Sequence, residues 1–143
     1  MPIFVKPKHK IVISGDPKFD EAKTAENSAI KPGDLVYLVD PDTVDTTPKE
    51  DDDVALGWAS YEHTHSQYRP KSITEAYQPG AYIAIIRTHS SALIMANAID
   101  PVLNKPLTAS KADGTLIVGD YAERYAVAME TKTGTGLTPI RIN

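Results

Sequence analysis

At 143 residues, with 41% hydrophobic and 24% charged residues, the chain has the make-up of one ordinary globular domain, which excludes wholesale disorder. A formal net charge of −4 argues against nucleic acid as a partner, because binding phosphate needs a basic face. The absence of cysteine excludes a disulfide framework, a thiolate metal site and a cysteine nucleophile.

The chain opens MPIFVKPKHK, without the apolar core or small-residue cleavage site of a secretory leader. No apolar run approaches the roughly 20 residues that cross a bilayer. A soluble protein made without export and without membrane contact is therefore expected. Pro2 and Pro7 flank IFVK, and HKIVIS (9–14) runs to the breaker Gly15-Asp16-Pro17. Proline disfavours a helix here and favours extended backbone, so the start reads as an extended arm. Lys6, Lys8, His9 and Lys10 make it basic. FDEAKTAENSA (19–29) is rich in Ala, Glu and Lys and predicts a short helix, with Asp16 or Asp20 as its N-cap. This divides the chain into an arm with a short helix (1–30) and a β domain (31–143).

From Lys31 the signals are those of strands. KPGDLVYLV (31–39) and QPGAYIAII (78–86) each place Pro-Gly before an apolar run. Proline presets φ near −65° and glycine tolerates the positive φ that follows, so each pair suits the centre of a type II turn that launches a strand. The predicted strands are Asp34 to Val39, Val54 to Tyr61, Ala81 to Arg87, Ser91 to Ala98, Thr115 to Val118, Arg124 to Glu130 and Leu137 to Ile142. Asp113-Gly114 and Gly119-Asp120 bracket a very short one, a hairpin-like signal. Between the first two strands, Asp40, Asp42, Asp45, Glu50, Asp51, Asp52 and Asp53 make an acidic stretch, which with Pro41 and Pro48 reads as a solvated loop. DPDTVDTT within it lacks the Gly and Glu of an EF-hand loop. Short strands at intervals of about 8–12 residues, without crossover helices, predict an all-β fold, a small sandwich or barrel.

Few residues invite chemistry. GWASYEHTH (57–65) begins like a cupin motif, and His63 and His65 at period two would share a strand face able to hold Zn²⁺, Fe²⁺ or Mn²⁺. The pattern then departs, because Arg69 and Pro70 stand where a cupin has its Glu, and His89 and Asn97 miss the second motif's spacing. A polar loop with unliganded imidazoles is the alternative. Ser90, Ser91 and His89 are neighbours in sequence only, and the elbow, phosphate-loop, metalloprotease and dinucleotide patterns are absent. Trp58 suits a core or interface position, or a sugar-stacking platform. Seven Tyr against two Phe favour surfaces that bury a ring while keeping a hydroxyl wet. Tyr61, Tyr68, Tyr77 and Tyr82 gather around the polar loop.

The succession KPGDLVYLV, acidic loop, DVALGWASYE, QPGAYIAII and DGTLIVGDYAERYAVAMETK resembles the capsid decoration, or cement, proteins of tailed phages and related viruses. That resemblance implies a β-tulip-like body with a flexible N-terminal arm. It also implies a homotrimer on the outer surface of the virion that clamps subunits of the major capsid protein, with no cofactor and no catalysis. On this reading Ile3, Phe4, Val5, Lys6, Lys8, Lys10, Ile11, Val12 and Ile13 would add a strand to a capsid sheet. Trp58, Tyr61, Tyr68 and Tyr77 would line the contact between copies.

Overall fold

The computed structural model describes residues 6–119 and 125–142, and among them the fold is all-β apart from one 3-10 turn at Ser66–Tyr68. In chain order the strands are β1 (Val12–Asp16), β2 (Phe19–Thr24), β3 (Leu35–Asp40), β4 (Thr43–Asp45), β5 (Gly57–Ala59), β6 (Tyr82–Arg87), β7 (Ser91–Ile99), β8 (Pro106–Ala109), β9 (Leu116–Val118), β10 (Ala126–Ala128) and β11 (Thr135–Ile142). Five of them close into a barrel in the order β2-β4-β3-β5-β6. The others form a sheet ordered β1-β7-β11-β10-β8-β9. In that sheet β9 returns to pair in parallel with the end of β7, Ala98 opposite Leu116 and Ile99 opposite Ile117, so a second ring closes. β1 lies on the other half of β7, with Asp16 opposite Ser91.

The continuous apolar runs of β3 and β6 follow from this architecture, because a strand covered on both faces has no polar side to alternate. Val36, Ala59, Ile83 and Ile85 turn into the first barrel, where they meet Ala22, Ile30, Val44 and Tyr77. Leu35, Tyr37, Trp58 and Ile86 turn the other way and join Ile11, Ile94, Leu107, Leu116 and Ile140 in the larger core shared with the second ring. Both Pro-Gly pairs are type II turns. Asp34 N–H donates to the Lys31 carbonyl and Ala81 N–H to that of Gln78, while Gly33 and Gly80 have φ of 89° and 82°. They launch β3 and β6, which flank β5.

Three expectations are corrected. The helix over 19–29 is instead strand β2: five of its residues, from Phe19 opposite Ile86 to Lys23 opposite Tyr82, pair with β6. An isolated helix of that length is marginal, and a full ladder with an apolar strand overrides its propensity. The boundary at residue 30 also moves, since β1 and β2 belong to the folded body and Ile11 is completely buried. Finally, the acidic stretch is not all loop. Thr43–Asp45 forms β4, whose Val44 is fully buried inside the first barrel. β8 was not foreseen, and the predicted strand from Val54 shortens to Gly57–Ala59. The predicted start at Arg124 lies outside the described residues.

Candidate functional site

The loop from Ser60 to Pro79 packs on the core of the first barrel through Tyr77 and Tyr68 and gathers most of the polar and aromatic residues singled out above. Its root is held by Tyr77, whose hydroxyl donates to the Ser60 carbonyl and lies 3.1 Å from Thr64 Oγ1. Thr64 Oγ1 in turn accepts the Ala84 amide at 3.0 Å. Burial pushes the Tyr77 hydroxyl up to about 12, against a smaller opposing effect of the Thr64 contact, so the phenol stays a donor. Further out, His65 Nδ1 accepts the Gln67 amide and caps the 3-10 turn, and Tyr61 donates to the Pro70 carbonyl at 2.9 Å.

His63 and His65 do not share a strand face, because they sit in this loop. His63 stacks on Phe19 with ring centroids 4.2 Å apart and places Nδ1 2.9 Å from Ser60 Oγ. His65 faces Tyr68 edge-on. Among the described residues no three ligating side chains gather around either. Ser60, His63 and Glu62 resemble a catalytic triad in composition only. Ser60 is fully buried, and Glu62 approaches the same Nδ1 that contacts Ser60, at 3.9 Å, rather than the far ring nitrogen.

Glu62 has a different task. Its two oxygens accept the consecutive amides of Ile11 and Val12 at 2.8 and 3.0 Å, which pins the chain where it enters β1. Of the expected arm, Ile11 is core and Val12 and Ile13 pack against it, so these three cannot be donated to another sheet without unfolding β1. Lys8 and Lys10 are exposed ahead of that anchor, and Lys6 pairs with Glu130 at 2.6 Å. Ile3, Phe4 and Val5 lie outside the described residues. Of the expected contact residues, Trp58 and Tyr77 are 0% and 2% exposed and belong to the protein's own cores, so neither can meet another copy. Tyr61 and Tyr68 are half-buried and reach the surface.

Of the clefts on the described surface, two bear on function. One, of 530 Å³, lies where the first barrel meets β7 and is lined by Asp34, Asp45, Asn97, Asp113 and Thr115 among others. Asp34 is 1% exposed, and burial raises its carboxyl to about 6 even though it accepts the Lys31 amide at 2.9 Å and the Asn97 amide at 2.7 Å. Its neighbour Asp113 is held below the ordinary range, chiefly by the Thr115 hydroxyl. The Asp34–Asn97 bond ties the two rings together, which is a structural use of a buried carboxylate. The other cleft, of 380 Å³, runs along the Gln67–Lys71 segment and the second Pro-Gly turn. Its residues come from two stretches, 67–71 and 75–81, that no sequence motif links, so nothing local marks the cleft.

Neither a protein-family model nor a curated protein matches this chain. Among solved structures, it is similar to the N base of the head fiber gp8.5 in bacteriophage phi29, with a TM-score of 0.52 over 90% of this chain and 95% of that one, at 16% identity. At that identity the likeness establishes a common fold.

Proposed function

We propose that this chain is a non-catalytic structural protein of a virus particle, seated on the outside of the capsid. The observation that carries the reading is the end-to-end fold correspondence with a phage head-fiber base. The resemblance of the strand segments to capsid decoration proteins supports it independently. In the finer reading, three copies sit together and bridge neighbouring major capsid protein subunits, and the segment ahead of Ile11 serves as the arm once the Lys6–Glu130 pair opens. Its lysines suit an acidic shell, and an extended segment can pair by main-chain hydrogen bonds. A ligand that binds only the assembled shell stabilises it by mass action.

Mixing the purified protein with shells of the virus that encodes it tests this. It is expected to co-sediment at fixed stoichiometry and to raise the temperature at which shells disrupt; no co-sedimentation overturns the proposal. Removing residues 2–10, which spares Ile11 and its Glu62 anchor, is expected to weaken shell binding while leaving the circular dichroism spectrum unchanged. Light scattering is expected to give three times the 15.6 kDa of one chain.

A further inference from the structure

We propose that the 380 Å³ cleft beside the second Pro-Gly turn is a binding site for an anionic saccharide. Its volume lies within the range of about 300–1,000 Å³ that small-molecule sites occupy. Tyr68, Pro70 and Pro79 contribute flat apolar surface, which suits the C–H faces of a pyranose ring. Around it stand Gln67, Arg69, Lys71, Glu75 and Gln78. None of these five side chains has a hydrogen-bond or ion-pair partner among the described residues, although Arg69 lies 5.9 Å over the Tyr61 ring. Amides and charged groups of this kind pair with adjacent sugar hydroxyls.

Two cations against one carboxylate give the cleft a positive balance within a chain of net charge −4. Arginine offers a fork suited to a carboxylate or phosphate, so the ligand class is a sugar carrying such a group. The walls are preorganised. The His65 cap fixes the 3-10 turn, the Tyr61 hydroxyl fixes Pro70, and Tyr68 rests edge-on against Tyr82 at 5.9 Å. Such preset contacts lower the ordering that binding would otherwise require. The site does not depend on the shell, so its test is made on the protein alone.

Tetragalacturonate and maltotetraose serve as the anionic and neutral probes, followed by calorimetry and amide chemical shifts. Tetragalacturonate is expected to bind at least ten-fold more tightly, with shifts confined to residues 65–82. Tyr68→Ala is expected to lower that affinity ten-fold or more, and Arg69→Gln to remove most of the preference for the anionic sugar. Each variant's circular dichroism is compared with the parent to establish that it folds. Absence of binding by both sugars, equal binding of the two, or binding unchanged in Tyr68→Ala and Arg69→Gln overturns the proposal. Arg69→Lys, which keeps the charge and loses the fork, is expected to recover part of the preference.

Discussion

Asp34 shows how burial gives one side chain a pH dependence of its own. Its folded-state pKa of about 6 lies above the ordinary 3.8, so the folded protein holds this proton more tightly than the unfolded chain does. The group is therefore most favourable to folding below about pH 4, and that advantage is lost as pH rises through 6. The shift corresponds to about 3 kcal/mol. Asp113 has the opposite sign: its depressed pKa contributes stability above the unfolded value and loses it as pH falls through the folded one, a more acidic window. Denaturant titrations at pH 4 and pH 7 are expected to show a fall attributable to Asp34 that Asp34→Asn abolishes. An unchanged slope in the variant would contradict the assignment. Glu62 acts by geometry. Glu62→Ala leaves the amides of Ile11 and Val12, at the entry to β1, without their acceptor, and hydrogen bonds to a charged group contribute about 1.5–3 kcal/mol each. The expected result is a loss of about 3–6 kcal/mol and faster hydrogen exchange at Ile11 and Val12.

At the scale of elements, the two Pro-Gly turns are alike in backbone and unlike in surroundings. An L side chain at either glycine meets a positive φ that costs about 1–2 kcal/mol. At Gly33 an added Cβ would also sit 2.6 Å from Leu137 Cδ2, whereas at Gly80 it would meet nothing within 4 Å. Gly33→Ala is accordingly expected to destabilise more than Gly80→Ala by about 1 kcal/mol or more, measured as a difference in denaturation midpoints. Equal effects would mean that Leu137 moves aside freely. Turn chemistry and apolar runs made β3, β6, β7 and β11 legible, since each is at least six residues long and its pattern repeats. β4 and β8, of three and four residues, carry too few side chains for periodicity to register and lack the paired Asp-Gly and Gly-Asp signals that bracket the equally short β9. β2 reads as a helix because its composition is that of one; only the partner strand β6 decides otherwise.

For the whole molecule, the shared core predicts one unfolding event. Leu35, Tyr37, Trp58 and Ile86 of the first barrel pack with Ile94, Leu107 and Ile140 of the second ring, so neither can open without exposing the other. Trp58 fluorescence and far-ultraviolet circular dichroism are expected to report coincident thermal transitions, and two separated transitions would refute the coupling. Trp58→Ala is expected to cost about 3–5 kcal/mol, a large share of the 5–15 kcal/mol typical of a domain. The candidate site was legible only in part: the aromatic and polar loop stood out by composition, while its division into anchors and free groups did not. Tyr77 and Trp58 carry the same surface-friendly chemistry as Tyr68, and nothing local distinguishes a ring that faces solvent from one sealed inside a barrel.

The sequence by itself determined the all-β class, the two type II turns and the absence of thiol chemistry, because these depend on residue type and on neighbours a few positions away. The tertiary structure alone decided that Ile11 is anchored rather than free, that 19–24 is a strand, and that His63 and His65 part company. Each depends on a partner far along the chain: Glu62, β6 and Phe19. Contacts between distant residues are set by how strands close into rings, and no local pattern encodes that closure.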